Sequence, residues 1–311
     1  MAALPRRPQP TVDAFYAAYE ARQGSGYRRH LGASLIGTEC SRALWYTFRW
    51  VTSAKFTGRL LRLFDTGNLA EARFVADLRS IGCTVLEINP DTGRQWSVRA
   101  VRGHFGGSMD AVIQGIPEAP KKWHVAEFKT HNAKSYAALV KDGVEQSKPL
   151  HAAQMQIYMH LGQLDRALYM AVNKDTDELY TERLRADPAA AMRFLAKAER
   201  IIDSPRAPEK ISKDPAWFQC RFCNHHAVCH EAALPERHCR SCVHSTPVDN
   251  GAWSCARHGG IIDADFEAHG CENHLYLPDF IAGEPVDSAH DTITYAMRDG
   301  TTWIDAGKVP F

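Results

Sequence analysis

The chain has 311 residues, of which 45% are hydrophobic and 23% charged, with 37 Lys and Arg against 36 Asp and Glu and a formal net charge of +1. That length suits about two domains of ordinary size, and the balanced charge excludes polyanion binding spread over the whole surface, so such a partner must be argued locally. No run approaches the roughly 18 apolar residues of a membrane span, and MAALPRRPQP lacks the apolar core of a signal peptide, so a cytoplasmic protein with no membrane partner is expected.

Apolar spacing predicts helices over residues 11–23 and 33–50, and a further helix from Leu69 to Arg79 after a break at Gly67. Between Arg22 and Arg62 stand Arg22, Arg28, Arg29, Arg42, Arg49, Lys55, Arg59 and Arg62 against one acid, Glu39. Tyr27, Trp45, Tyr46, Phe48, Trp50 and Phe56 are interleaved with them. Cations for phosphates and aromatic faces for bases are what single-stranded nucleic acid binding uses, and a basic surface over an aromatic core is the plainer alternative.

The period then changes to that of strands at Thr84–Ile88, Gln95–Val101, Gly107–Gln114 and Trp123–Thr130, which read as a mostly antiparallel meander. A helix is predicted over 148–163, strands at Arg166–Val172 and Glu178–Leu184, and a helix from Asp187 to Ile202 started by an Asp-Pro cap. The order predicts an α/β (α+β) fold with a central mixed sheet flanked by helices. Near the end, Thr292–Met297 and Thr301–Ile304 flank an Asp299-Gly300 turn and predict a terminal β-hairpin.

The chemistry concentrates on the strands. Asp110 follows a Gly-Gly-Ser-Met stretch that lets other groups approach the backbone, and Glu127 and Lys129 are two apart, so both leave the same strand face. Two carboxylates and a carbonyl such as that of Phe128 make a hard oxygen site for Mg²⁺ or Mn²⁺, and Lys129 can orient or deprotonate water or stabilise charge on a phosphate. Such triplets are common on solvated strands; here the apolar neighbours Val125, Ala126 and Phe128 make paired charges costly. Gln154 and Tyr158 share a helix face, with His151 one turn earlier on that side and Gln156 pointing elsewhere. Glu71 is expected to begin a helix, either as a further carboxylate for the metal or simply where the dipole favours an acid.

In a reducing compartment the nine cysteines are not expected to form disulfides, and the Cys-x-x-Cys pairs read as ligands for metals or clusters. Cys40 stands far upstream of Cys220-x-x-Cys223-x5-Cys229, and four thiolates accept either zinc or an iron-sulfur cluster. Beyond Pro235, Cys239-x-x-Cys242, Cys255 and Cys271 lie in about forty residues poor in apolar side chains, where Zn²⁺ would act as a staple. His244, His258, His269 or His274 could replace one of those ligands. Cys83 belongs to neither set and reads as a buried apolar residue.

Gly67-x-x-x-Glu71, Asp110, Glu127-x-Lys129 and Gln154-x-x-x-Tyr158, bracketed by Cys40 and Cys220, Cys223 and Cys229, resemble the PD-(D/E)xK nuclease superfamily, restriction-endonuclease-like in fold. Within it the arrangement is similar to the RecB-like and CRISPR-associated iron-sulfur exonucleases. The resemblance implies that Asp110, Glu127 and Glu71 bind Mg²⁺ or Mn²⁺, that Lys129 is catalytic and that Gln154 and Tyr158 contact nucleic acid. It also implies a [4Fe-4S] cluster on Cys40, Cys220, Cys223 and Cys229. Met109 stands where the family usually has Pro, and Glu71 where it often has His. The expected organisation is an N-terminal helical extension (1–30), a nuclease domain (31–232), a zinc-binding module on Cys239, Cys242, Cys255 and Cys271 (233–275), and a hairpin tail (276–311). The expected function is a metal-dependent DNA exonuclease acting on single-stranded or frayed ends in recombination, repair or processing. The competing expectation is a non-catalytic DNA-binding or assembly protein that recruits a protein partner through the zinc module.

Overall fold

The computed structural model describes residues 8–307; the first seven residues of the expected N-terminal extension and the last four of the tail lie outside that range. Helices are α1 (Pro10–Ala21), α2 (Ser41–Phe48), α3 (Gly58–Ser80), α4 (Ala133–Ser147), α5 (Pro149–Leu161), α6 (Pro188–Asp203), α7 (Phe218–Arg221) and α8 (His226–His230). Strands are β1 (Leu31–Gly32), β2 (Thr84–Leu86), β3 (Ile88–Asn89), β4 (Arg94–Gln95), β5 (Ser97–Ala100), β6 (Phe105–Ser108), β7 (Ala111–Gln114), β8 (His124–His131), β9 (Arg166–Asn173) and β10 (Leu179–Arg185). After them come β11 (Ser245–Pro247), β12 (Trp253–Cys255), β13 (Gly260–Ile262), β14 (Gly283–Ala289), β15 (Thr292–Met297) and β16 (Thr302–Asp305).

The central sheet has the order β10-β9-β8-β7-β2. Its pairs are antiparallel except β8 with β9, which run parallel, so the central sheet is mixed as expected; of the expected meander β2, β7 and β8 belong to it, while β5 and β6 pair in a separate sheet with β1. The parallel step requires a crossover, and α4 and α5 supply it between the two strands. Helix α4 had no clear signal: Asn132 caps it by accepting from Ser135 N, but Gly143 interrupts it at φ 71°. Glu182 Oε2 accepts from Val144 N and steadies the chain after that kink.

Alternate residues of β8 serve two cores. Ala126 and Phe128 pack with Phe74, Val75 and Leu78 of α3 on one face. On the other, Val125 packs among residues of α5 such as Met155, Ile157 and Met159. Strand β8 is therefore covered on both sides, which is why it reads as an apolar run broken by Glu127 and Lys129.

Three predicted elements differ. The helix expected over 33–50 is a short 3-10 turn at Ala33–Leu35 followed by α2. Gly37 packs tightly against Leu150 and Ala153, where a Cβ would come within 3.1 Å of both, and Cys40 restarts the helix as its N-cap, Sγ accepting from Ala43 N. Gly67 breaks nothing: α3 runs through it, and Glu71 lies well inside the helix rather than at its start. The terminal hairpin is the inner part of a three-stranded sheet, because β14 adds to β15 and β16. The Asp-Pro start of α6 is as expected, Asp187 Oδ1 accepting from Ala190 N.

Candidate active site

Antiparallel pairing of Ala111 with Ala126 sets Asp110, just before β7, beside Glu127. Asp110 Oδ2 accepts from Phe128 N at 2.7 Å, which locks the carboxylate onto β8. Glu127 is fully buried; Gln154 Nε2 donates to its Oε2 at 3.1 Å and also to Tyr158 Oη at 3.1 Å. Glu127 Oε1 is ion-paired with Lys129 Nζ but lacks a hydrogen bond of good geometry, because that ammonium donates to Phe128 O at 2.9 Å. Glu71 comes from α3, on the far face of the sheet, with its charge felt by Glu127 and Lys129.

The electrostatics follow from burial. Burial, with help from Asp110, pushes Glu127 up to about 7 in spite of Lys129. Asp110 and Glu71 are raised for the same first reason. Burial works against the Lys129 ammonium, but Glu127, Asp110 and Glu71 outweigh it and hold its pKa above the usual lysine value. Three carboxylates around one ammonium leave an excess of negative charge, which suits a hard divalent cation.

One group escaped the sequence reading. Tyr169 pairs with Glu127 across β8 and β9, and its hydroxyl meets His131 Nε2 at 2.8 Å and His151 Nδ1 at 2.9 Å. His131 extends the alternation Glu127, Lys129, His131 on one strand face, which was the available signal; a tyrosine in an apolar strand gave none. Burial lowers both histidines, His131 to about 4 and His151 to about 3, so both stay neutral. Gln156 bonds Arg185 O and Asp187 N, away from the site as expected.

Four of the six aromatics of the expected N-terminal nucleic-acid surface are not available, and only Tyr27 and Phe56 remain half-exposed. Trp45, Tyr46, Phe48 and Trp50 are core residues, because α2 packs against α6 and β1 on one side while Phe280 and Trp253 of the later segment cover its aromatics.

Each cysteine set lines its own cavity. Cys40, Cys220, Cys223 and Cys229 surround about 570 Å³ with Gly37, Pro149 and Leu150. Cys239, Cys242, Cys255 and Cys271 surround about 250 Å³ with His258 and His274, whereas His244 and His269 stay outside it. Among the described residues, no three His, Cys, Asp or Glu side chains are gathered as one metal ion would hold them. The two cavities bring each set of sulfurs to a common space without closing it. Cys83 is buried in the α3 core, as expected.

The chain belongs to the PD-(D/E)XK nuclease superfamily, whose family model matches residues 14–230. Among solved structures it is similar to LHK-Exo, an alkaline exonuclease from Laribacter hongkongensis. In complex with dAMP, that structure shares 16% identity and a TM-score of 0.42, over 61% of this chain and 90% of that one. A second structure of LHK-Exo gives 16% identity and a TM-score of 0.40 over the same shares. A protein called SSO0001 gives 14% identity and a TM-score of 0.41 over 70% and 95%. No curated protein matches the chain. No helix of the described residues is long and apolar enough to cross a membrane.

Proposed function

We propose that this nuclease is a Mg²⁺- or Mn²⁺-dependent deoxyribonuclease that hydrolyses phosphodiester bonds exonucleolytically at single-stranded or frayed DNA ends. The observation that carries the reading is the placement of Asp110 beside Glu127 across β7 and β8, with Lys129 ion-paired to Glu127 on the middle strand of the sheet and Glu71 on α3 near enough for its charge to reach both. Asp110, Glu127 and Glu71 would hold the cation, and the excess of carboxylates over the one Lys129 ammonium supports that fit. When bound, such a cation polarises the phosphate and lowers the pKa of a water molecule. Lys129, held charged by its neighbours, stabilises negative charge on the phosphate rather than taking a proton from water. Gln154 aligns Glu127 and Tyr158 accepts from Gln154; both are buried, so they position the carboxylate rather than meet the nucleic acid as the resemblance implied.

The Cys40, Cys220, Cys223 and Cys229 cavity supports a [4Fe-4S] cluster, which is larger than a single ion and needs its thiolates further apart. The smaller cavity supports Zn²⁺ on Cys239, Cys242, Cys255 and Cys271, with a protein partner docking on that module. The deciding experiment measures cleavage of end-labelled DNA with Mg²⁺ or Mn²⁺ by wild type and Lys129→Ala, alongside iron and zinc content. Wild type is expected to cut and Lys129→Ala to lose at least about a hundredfold in rate, the usual cost of removing one positioned transition-state donor. Equal cleavage by the two overturns the site assignment.

A further inference from the structure

The inward stripe of α3 has an interruption that the fold does not require. Leu78, Val75 and Phe74 pack into the sheet, Glu71 turns to the carboxylate cluster, and one and two turns earlier on that face come Gly67 and Phe64. A side chain at Gly67 would meet no atom within 4 Å. Gly67 has ordinary helical backbone, so neither a turn nor a tight contact within the chain asks for glycine there, although glycine weakens a helix interior. Phe64 is 47% exposed, its ring held edge-on by Phe56 at 5.0 Å between centroids. The stripe has therefore lost its protein partner one helical turn, about 5.4 Å, from a candidate metal ligand.

We propose that Gly67 and Phe64 form a subsite for the unpaired nucleotide next to the scissile phosphate, the bare backbone at Gly67 admitting the sugar-phosphate and Phe64 stacking on the base. The inference rests on the nuclease reading. Continuity with Glu71 decides the occupant, because anything lying over Gly67 is within one turn of the carboxylates that would bind the metal. An exposed ring also needs an exposed base, which a paired duplex does not present.

The test compares Gly67→Ala, Gly67→Leu, Phe64→Ala and Phe64→Tyr with wild type. Melting temperature is read with binding of a labelled single-stranded oligonucleotide in Ca²⁺ and single-turnover cleavage in Mg²⁺ or Mn²⁺. Gly67→Ala should melt no lower than wild type, since alanine favours the helix, yet bind the oligonucleotide at least about fivefold more weakly. Gly67→Leu should bind more weakly still. Phe64→Ala should weaken single-strand binding about tenfold, as the loss of one base stack does, and Phe64→Tyr should recover most of that loss. Blunt duplex binding should change less. Variants that bind and cut single strands within twofold of wild type overturn the subsite while leaving the nuclease reading intact. A wild type that neither binds nor cuts DNA overturns both.

Discussion

Glu127 has no exposed surface, and its carboxyl sits near 7 because burial disfavours the charge more than Lys129 favours it. A folded-state pKa above the unfolded one means that the fold prefers the protonated acid, so stability is lost as pH rises through about 7. The full penalty is on the order of 3 kcal/mol. Two outcomes follow for protein free of divalent cations. Glu127→Gln, which removes the charge and keeps the shape, should melt higher than wild type at pH 8 and equally at pH 5, while losing cleavage. Mg²⁺ or Mn²⁺ should raise the melting temperature of wild type more at pH 8 than at pH 6, read by scanning fluorimetry. An equal shift at both pH values would mean that Glu127 does not meet the cation. The shared face of Glu127 and Lys129 was legible because strand residues two apart lie on one side, whatever the rest of the fold does, whereas Asp110 joins them only through the register of β7 on β8. Glu71 was legible as a residue type but not in its place, since a glycine four residues earlier looks like a helix break until α1 and the sheet are seen to hold α3 straight.

Helix α2 connects the two cysteine cavities. Cys40 caps its start, and at its other end Arg240, inside the Cys239-x-x-Cys242 loop, donates to Phe48 O at 3.0 Å. Arg240 is fully buried, donates to Glu267 at 2.9 Å and to Arg29 O at 2.9 Å, and lies 3.8 Å over the Trp50 ring. Removing one member of such a buried pair strands the other charge, at a cost of about 3–5 kcal/mol. Arg240→Ala should therefore lower the midpoint of denaturant unfolding of the whole chain, with the signal of the sheet and that of the cysteine-rich segment moving together. Separate transitions would show that α2 does not couple them. This linkage was illegible in the chain because an arginine is ordinarily exposed, and the aromatics of α2 fitted a surface for bases as well as an aromatic core. Both resolve to burial once the later segment is seen to cover that helix.

At the scale of the molecule, the expected boundary near residue 233 does not divide the core. Trp253, Tyr276, Leu277, Phe280, Ile281 and Tyr295 belong to the same buried cluster as Trp45, Val125 and Ile157. His104 in the nuclease part reaches Val248 O at 2.7 Å, and a side chain at Gly103 would strike Gly251 N at 2.8 Å, so the two parts meet backbone to backbone. Burying a large apolar side chain contributes about 1.5–3 kcal/mol, so those six residues together supply on the order of 10 kcal/mol. That is comparable with the whole stability of an ordinary domain, about 5–15 kcal/mol. A chain ending at residue 232 should then fail to give a monodisperse folded species by gel filtration and circular dichroism. Loss of cleavage in it would report unfolding rather than loss of a recruiting module. A substitution that keeps the core, Cys255→Ser, separates the two roles of the later segment. If zinc there is structural, Cys255→Ser lowers both zinc content and melting temperature, and cleavage falls only as the folded fraction does. A folded, active 1–232 fragment would instead make the segment an independent domain and the shared core irrelevant to stability.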